Sequence, residues 1–326
     1  MSSLNLSFVQ NMSIVRPEYF FIIGLSGIPY SSYYYIFLFI AYLIAVIGNS
    51  VVLLIIGLER SLHSPKYIGV FNLALADLGE TNAVIPNMMK TFFSDSQYMS
   101  YNACLANMFF VNFFITVQSA TLVVLAFDRF IAICLPLRYH AILNNTVMSL
   151  AFIVLWVFNT SMVALSSSLM TRLSFCKSNV IESFYCDYGP LLMMACNDSS
   201  INVFITNLIA AMFLIAPLFI IFLSYLGIFF ALSKITTWKA RLKALNTCVS
   251  HLLLVGVFFI PVICIFIASS VSSLTLNTRV ISTSLSFTLP PMLNPIIYVL
   301  NTAEIRVLIR KLLTNRTMPI RKNISK

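Results

Sequence analysis

The sequence predicts an all-α membrane protein, a seven-transmembrane-helix bundle with a short amphipathic C-terminal helix. Three observations carry that expectation. Of the 326 residues 60% are apolar and 9% charged, with mean hydropathy +0.93, whereas a soluble domain of this length carries about a quarter charged residues. Uncharged runs match or exceed the roughly 20 residues that a spanning helix needs. They are too long, and alternate too poorly, for barrel strands, and helices alone of the remaining structures satisfy their backbone without water.

The elements follow in order. Tyr19 to Leu58 carries no charge and predicts a first span at 33–57. Tyr67 to Met89 is apolar apart from Asp77 and Glu80 and predicts a second at 67–91. The uncharged runs Ser96 to Phe127, Ala141 to Thr171 and Ser199 to Ser233 predict spans at 103–134, 147–170 and 200–232. Ala244 to Thr278, ionisable only at His251, predicts a sixth at 242–270, and Val280 to Ala303 a seventh at 280–300. The organisation is then an extracellular tail at 1–32, a membrane domain at 33–300 and a cytoplasmic helix and tail at 301–326, with no separate soluble domain and no internal repeat. Short connections imply antiparallel neighbours.

Fifteen of the 20 Lys and Arg residues fall on one side of this alternation. Among them are Lys66, Arg138, Lys239, Arg241, Lys243 and the basic residues after Arg306. Positive charge gathers on the cytoplasmic side, so the C-terminus is expected inside and the N-terminus outside, in the plasma membrane. The net charge of +10 reflects that bias; no basic patch is interleaved with aromatics, and no nucleic-acid partner is expected. The lipid bilayer is a partner by construction. No long apolar segment precedes Tyr19, so no cleaved signal peptide is expected.

Four of the seven cysteines, Cys104, Cys176, Cys186 and Cys196, fall outside, where oxidation is permitted. They allow three pairings; one of these pins the loop at 171–199 to the outer end of the third helix. Of the N-x-S/T sequons, topology removes Asn144, Asn159, Asn315 and Asn323. Asn5 and Asn11 are the expected glycosylation sites, and Asn197 is crowded by the membrane.

Acids within the bilayer are costly and are functional by default. Asp77 and Glu80 lie one turn apart on the second span, with Asn49, Gln118 and Asn294 at similar depth. Such a polar centre is expected to hold water or a sodium ion; no other cofactor is expected. Pro261 and Pro295 predict kinks in the sixth and seventh spans. Asn301 with Glu304 reads as a capping box that opens an interfacial helix. It sets Ile305, Leu308, Ile309, Leu312 and Leu313 on one face and Arg306, Arg310 and Lys311 on the other. His63, His140 and His251 lack metal-ligand spacing, His251 reading as a polar residue at a helix end. The nine glycines form no phosphate loop. No enzyme constellation is present.

The stretch "LAFDRFIAIC" at 125–134 ends a long oily run with Asp128 and Arg129. A charge pair at the cytoplasmic end of the third span costs free energy unless it is used, and breaking it on demand makes a switch. This arrangement resembles that of rhodopsin-like G-protein-coupled receptors. More specifically, "GN" at 48–49, "LHSPKYIGVFNLALADL" at 62–78, "LAFDRFIAICLPLRYH" at 125–140, "SY" at 224–225, "KALNTCVSHL" at 243–252 and "PMLNPIIY" at 291–298 together resemble the vertebrate olfactory receptors, in order and spacing. "GIP" at 27–29 and Phe127 resemble the fish-like class I branch. The resemblance runs from about Gly27 to Leu313. It implies a small odorant as ligand and a stimulatory, olfactory-type heterotrimeric G protein as partner, raising cAMP. It also implies the disulfides Cys104–Cys186 and Cys176–Cys196. The G-protein switch falls on Asp128, Arg129, Lys239, Arg241, Lys243 and Tyr298. The ligand pocket falls on Val111, Asn112, Ile115 and Thr116 of the third helix, Phe259, Val262, Phe266 and Ser270 of the sixth, Ser284 and Phe287 of the seventh, and Asp187 and Tyr188 of the lid. Gln118 stands where the family usually has Glu, Lys66 where Met is usual, and Ser270 where receptors for small carboxylic acids carry Arg. None of the pocket positions is Lys or Arg, so an anion would be buried unpaired, and a neutral or amine-bearing ligand is expected. The competing readings are a non-olfactory receptor of the same fold and a small transporter; a transporter predicts repeats and discontinuous helices.

Overall fold

The computed structural model describes residues 15–25, 30–94, 97–234, 236–271 and 275–313. The long helices, named first to seventh in chain order, are Ser31–Leu58, Pro65–Ser94, Tyr101–Cys134, Asn145–Met170, Ser200–Ser233, Trp238–Val271 and Leu276–Asn301, with an eighth, shorter one at Ala303–Leu313. Six of these are long and apolar enough to cross a membrane. The second is not among the six; it carries Lys66, Asp77, Glu80 and Lys90 along its length. Several helices begin on residues that accept from the freed first-turn N–H groups: Ser100, Asn144 and Thr275.

The third helix is central and packs against the second, fourth, fifth and sixth, while the seventh closes on the first, second and sixth. Of the most apolar stretch of each helix, 56% is buried inside the protein for the third but 11% for the fifth. Phe219, Phe222, Phe229 and Phe230 therefore point away from the protein. A surface this apolar is too large for water and fits the hydrocarbon of a bilayer.

Proline explains two of the contacts between helices. A proline in a helix cannot donate to the carbonyl four residues back, and in lipid that carbonyl finds no water. Pro295 frees the carbonyl of Pro291, and Asn49 Nδ2 of the first helix donates to it at 2.8 Å. Gly48 lets the first helix approach: a Cβ there would lie 2.8 Å from Pro295 Cγ. Likewise Pro217 frees the carbonyl of Phe213, and Ser119 Oγ of the third helix donates to it at 2.5 Å. The fifth helix widens to a π turn at Ala211–Ile215 just before that proline.

The sixth and seventh helices continue through Pro261 and Pro295. The structure departs from the sequence reading in three places. The eighth helix begins after Thr302, not Asn301: the seventh helix extends through Asn301, and Thr302 O accepts from Arg306 N. His251 lies inside the sixth helix rather than at its end, and is buried. Finally, the expected tail contains a strand. Tyr19–Ile22 pairs antiparallel with Tyr98–Ser100 and parallel with Val180–Ile181, forming a three-stranded lid. Asn5 and Asn11 lie outside the described residues.

Removing the amide that meets the freed carbonyl isolates the energetics of this closure. Asn49→Leu leaves Pro291 O without a donor and is expected to destabilise the protein by about 1–2 kcal/mol, read as a lower thermal midpoint in detergent. An unchanged midpoint would show that the first–seventh contact is held by packing alone.

Candidate functional site

The lid is fastened at three points. Disulfides join Cys104 to Cys186 and Cys176 to Cys196, with Cα–Cα separations of 5.3 and 6.0 Å. Asn107 of the third helix donates to Ala83 O of the second at 2.7 Å and accepts from Cys186 N at 3.2 Å, which ties the bridge to two helices. Arg279, at the outer end of the seventh helix, donates to Glu182 O at 2.6 Å and pairs with the Glu182 carboxylate at 3.6 Å. The Asn197 amide is occupied on both sides, accepting from Ser174 N and donating to Arg172 O.

The lid residues that enter the bundle precede Cys186. Phe184 and Tyr185 are buried and meet Phe287 of the seventh helix with ring centroids 5.9 and 5.2 Å away. Val111 and Val280 join the same cluster, and Ile115 packs at its edge. Of the residues after Cys186 named from the sequence, Asp187 lies beside the Tyr185 hydroxyl and near Arg279, while Tyr188 turns away. Tyr188 packs between the fourth and fifth helices, its hydroxyl 3.3 Å from Ser166 O and 3.5 Å from Asn202 Nδ2. Asp187 opens the two-turn helix Tyr188–Met194, accepting from Gly189 N. Burial pushes its carboxyl above the usual carboxylate range, with the Gly189 N–H and the Arg279 charge acting the other way.

The other predicted pocket residues have partners of their own. Asn112 Nδ2 donates to Met108 O at 2.7 Å, and Thr116 donates to Asn112 O and Phe113 O. Ser284 is held by the Tyr34 hydroxyl at 2.7 Å. Phe259 is buried deeper, against Phe258 in the inner core. Val262 is half-buried on the sixth helix. The side chains of Phe266, Ser270 and Lys243 lie outside the described part.

At mid-depth the acids are paired by amides. Asn294 Nδ2 donates to Asp77 Oδ2 at 2.9 Å, and Gln118 Nε2 donates to Glu80 Oε2. Asn49 serves the seventh-helix backbone rather than Asp77. Asn49 Oδ1, Asp77 Oδ1, Gln118 Oε1 and Asn294 Oδ1 are buried with no hydrogen-bond partner among the described residues. Each of these buried oxygens can still accept a hydrogen bond, as from water.

At the end of the bundle away from the lid, Arg129 pairs with Asp128 at 2.6 Å, and the Tyr139 hydroxyl donates to the other Asp128 oxygen at 2.7 Å. Tyr139 opens the one-turn helix Tyr139–Ile142 that follows the third helix. His251 spans three helices: Nδ1 meets the Tyr225 hydroxyl of the fifth at 2.8 Å and Nε2 lies 3.1 Å from Leu122 O of the third. Arg129 and Tyr298 line a cavity of about 510 Å³ that opens at this end. Lys239 is exposed and Arg241 half-buried on the first turns of the sixth helix.

The family model for olfactory receptors matches residues 38–316 of the chain. Among curated proteins, the chain is 33% identical to mouse (Mus musculus) olfactory receptor 1E16 over 303 residues, covering 92% of this chain and 96% of that one. It is 34% identical to human (Homo sapiens) olfactory receptor 1M1 over 298 residues (91% and 95%) and 33% identical to human olfactory receptor 1C1 over 310 (95% and 98%).

The raised Asp187 predicts how the lid responds to acid. The folded state binds this proton more tightly than the unfolded chain does, so its stability falls as pH rises from the unfolded value, about 4, through the folded one. Asp187→Asn keeps the cap and is permanently neutral. It is expected to melt higher than the parent at pH about 7, with the gap closing as pH falls towards about 4. A variant that melts lower than the parent at neutral pH would contradict this.

Proposed function

The chain belongs to the olfactory receptor family, a family of receptors and not of enzymes, and on that premise we propose how it works as an odorant receptor. It is a multi-pass membrane protein. In our reading the second helix, at 30 residues or about 45 Å, is the remaining span of a seven-helix bundle. Its acids face the third and seventh helices, as the Gln118 and Asn294 bonds require. The lid is extracellular and the C-terminus cytoplasmic, as the Lys and Arg bias supports. The eighth helix buries Ile305 and Leu308 against the bundle and exposes Arg306, which suits a helix lying on the inner leaflet.

A small odorant binds in the outer half, where the third and seventh helices meet the lid. Displacing Phe184 and Tyr185 from Phe287 makes room without breaking a disulfide. The cluster is apolar and aromatic, the Asp187 carboxyl lies beside Tyr185, and the nearby Arg279 is taken by Glu182, so a neutral or amine-bearing odorant suits it better than an acid. Waters or a sodium ion at the Asp77 centre favour the closed state, because the orphaned oxygens need partners that a shift of the seventh helix disperses.

The observation that carries the signalling reading is the Tyr139–Asp128–Arg129 cluster at the mouth of the inner cavity. Held by Asp128, Arg129 caps a closed state. When the inner end of the sixth helix moves outward, the His251 links to Leu122 and Tyr225 break, and Arg129 is released to a stimulatory, olfactory-type G protein with Lys239, Arg241 and Lys243 at the rim. cAMP then rises.

The test is cAMP production in cells expressing the receptor with that G protein, screened against neutral, amine and acid odorants. Arg129→Ala is expected to reach the surface and to lose the response by tenfold or more, about 1.4 kcal/mol of coupling. A parent-like response at equal surface level would overturn the switch, and a short-chain carboxylic acid as best agonist would overturn the pocket assignment.

A further inference from the structure

The wall of the inner cavity carries three cations, Lys66, Arg129 and Arg306, and no carboxylate among the described residues. Asp128 neutralises Arg129. Lys66 and Arg306 form no ion pair among the described residues. Lys66 instead rests on the Tyr67 ring, its Nζ 4.9 Å from the centroid. Arg129 lies near enough to repel it, and Glu304 near enough to attract it. Asn246, Ser250 and Thr302 add polar groups to the wall. Lys66 is half-buried and Arg306 exposed at the rim, and although Glu304 draws on Lys66 from outside the lining, both cations keep room for an anion.

The cavity also has an oily lip. Val249 of the sixth helix and Leu300 of the seventh line it, yet are 49% and 63% exposed. In a bilayer such residues face acyl chains. The opening therefore leads sideways into lipid as well as down into the cytoplasm, a shape suited to an amphiphile.

We propose that this cavity binds an inner-leaflet phospholipid bearing a phosphomonoester headgroup. The phosphate is held by Lys66 and Arg306, and the chains leave over Val249 and Leu300. The charge selects the headgroup: a phosphomonoester carries about −1.5 to −2 at neutral pH and balances both spare cations, whereas a carboxylate or a phosphodiester balances one. At about 510 Å³ the cavity lies within the usual range for small-molecule sites, about 300–1,000 Å³. A headgroup there lies against Arg129 and Tyr298, in space the G protein needs, and so acts as a brake. The proposal rests on the cytoplasmic placement of this end given above.

The test uses the full-length receptor in phosphatidylcholine nanodiscs, without G protein or odorant, and a fluorescent short-chain phosphatidylinositol 4,5-bisphosphate. The double variant Lys66→Gln, Arg306→Gln is expected to weaken binding by about tenfold or more. Lys66→Arg retains binding, and Lys177→Gln, outside, leaves it unchanged. Phosphatidylserine, with no phosphomonoester, competes poorly. Binding indifferent to the double variant, with Lys177→Gln equally silent, would overturn the site. Soluble inositol trisphosphate competing as well as the lipid would overturn the lipid as occupant. Because neither G protein nor odorant is present, failure here leaves the Arg129 test of coupling untouched.

Discussion

A polar group inside a bilayer has to find its partner in the protein, and the architecture follows from that constraint. The Asn49 bond to Pro291 O is its clearest instance. Pro295 removes a backbone donor where water cannot substitute, so the first helix supplies an amide, and Gly48 beside it gives the space to deliver it. Ser119 does the same for the carbonyl freed by Pro217. Each repair joins one helix to another, so weak points in single helices become the joints of the bundle. The acids obey the same rule: Asp77 takes an amide from the seventh helix, Glu80 from the third, and Asp128 takes Arg129 and Tyr139.

Satisfaction is incomplete where the protein is proposed to act. The mid-depth centre keeps four oxygens without partners among the described residues, and the inner cavity keeps Lys66 and Arg306 without an ion pair among them. A fully satisfied core has one arrangement. These groups can instead be satisfied in more than one way, by water, ion, lipid or protein, and each occupant favours the helix arrangement that suits it. His251 fits this pattern, as it holds the third, fifth and sixth helices through one ring and two single bonds.

Much of this was legible in the sequence. Span positions follow from the length of uncharged runs, which lipid imposes directly. The Asp128–Arg129 pair stood out because charge is scarce around it, and the family motifs located Asn49, Asp77, Tyr225 and Asn294. What stayed hidden depends on tertiary placement. The strand Tyr19–Ile22 is four residues long and gains its identity only from Gln97–Ser100 and the loop beside it. Phe184 and Tyr185 went unnoticed because the turn at the disulfide, which brings them onto Phe287, has no sequence signature. Tyr139 reaches Asp128 from a helix of one turn, which no helical periodicity describes, and Ser119 looked like any small residue until Pro217 faced it. The cap after the seventh helix moved one residue because that helix continues through Asn301 with no proline or glycine to stop it.

The account's central claim is that the third and sixth helices part at their inner ends when Arg129 is released. Pulsed electron spin resonance measures this directly, with spin labels at Leu137→Cys and Leu242→Cys, both exposed, in a receptor whose free Cys134, Cys248 and Cys264 are replaced by Ser. Adding nucleotide-free stimulatory G protein is predicted to move the distance distribution to longer values, and Arg129→Ala to abolish the shift. A distribution that stays fixed while the G protein binds would contradict the account.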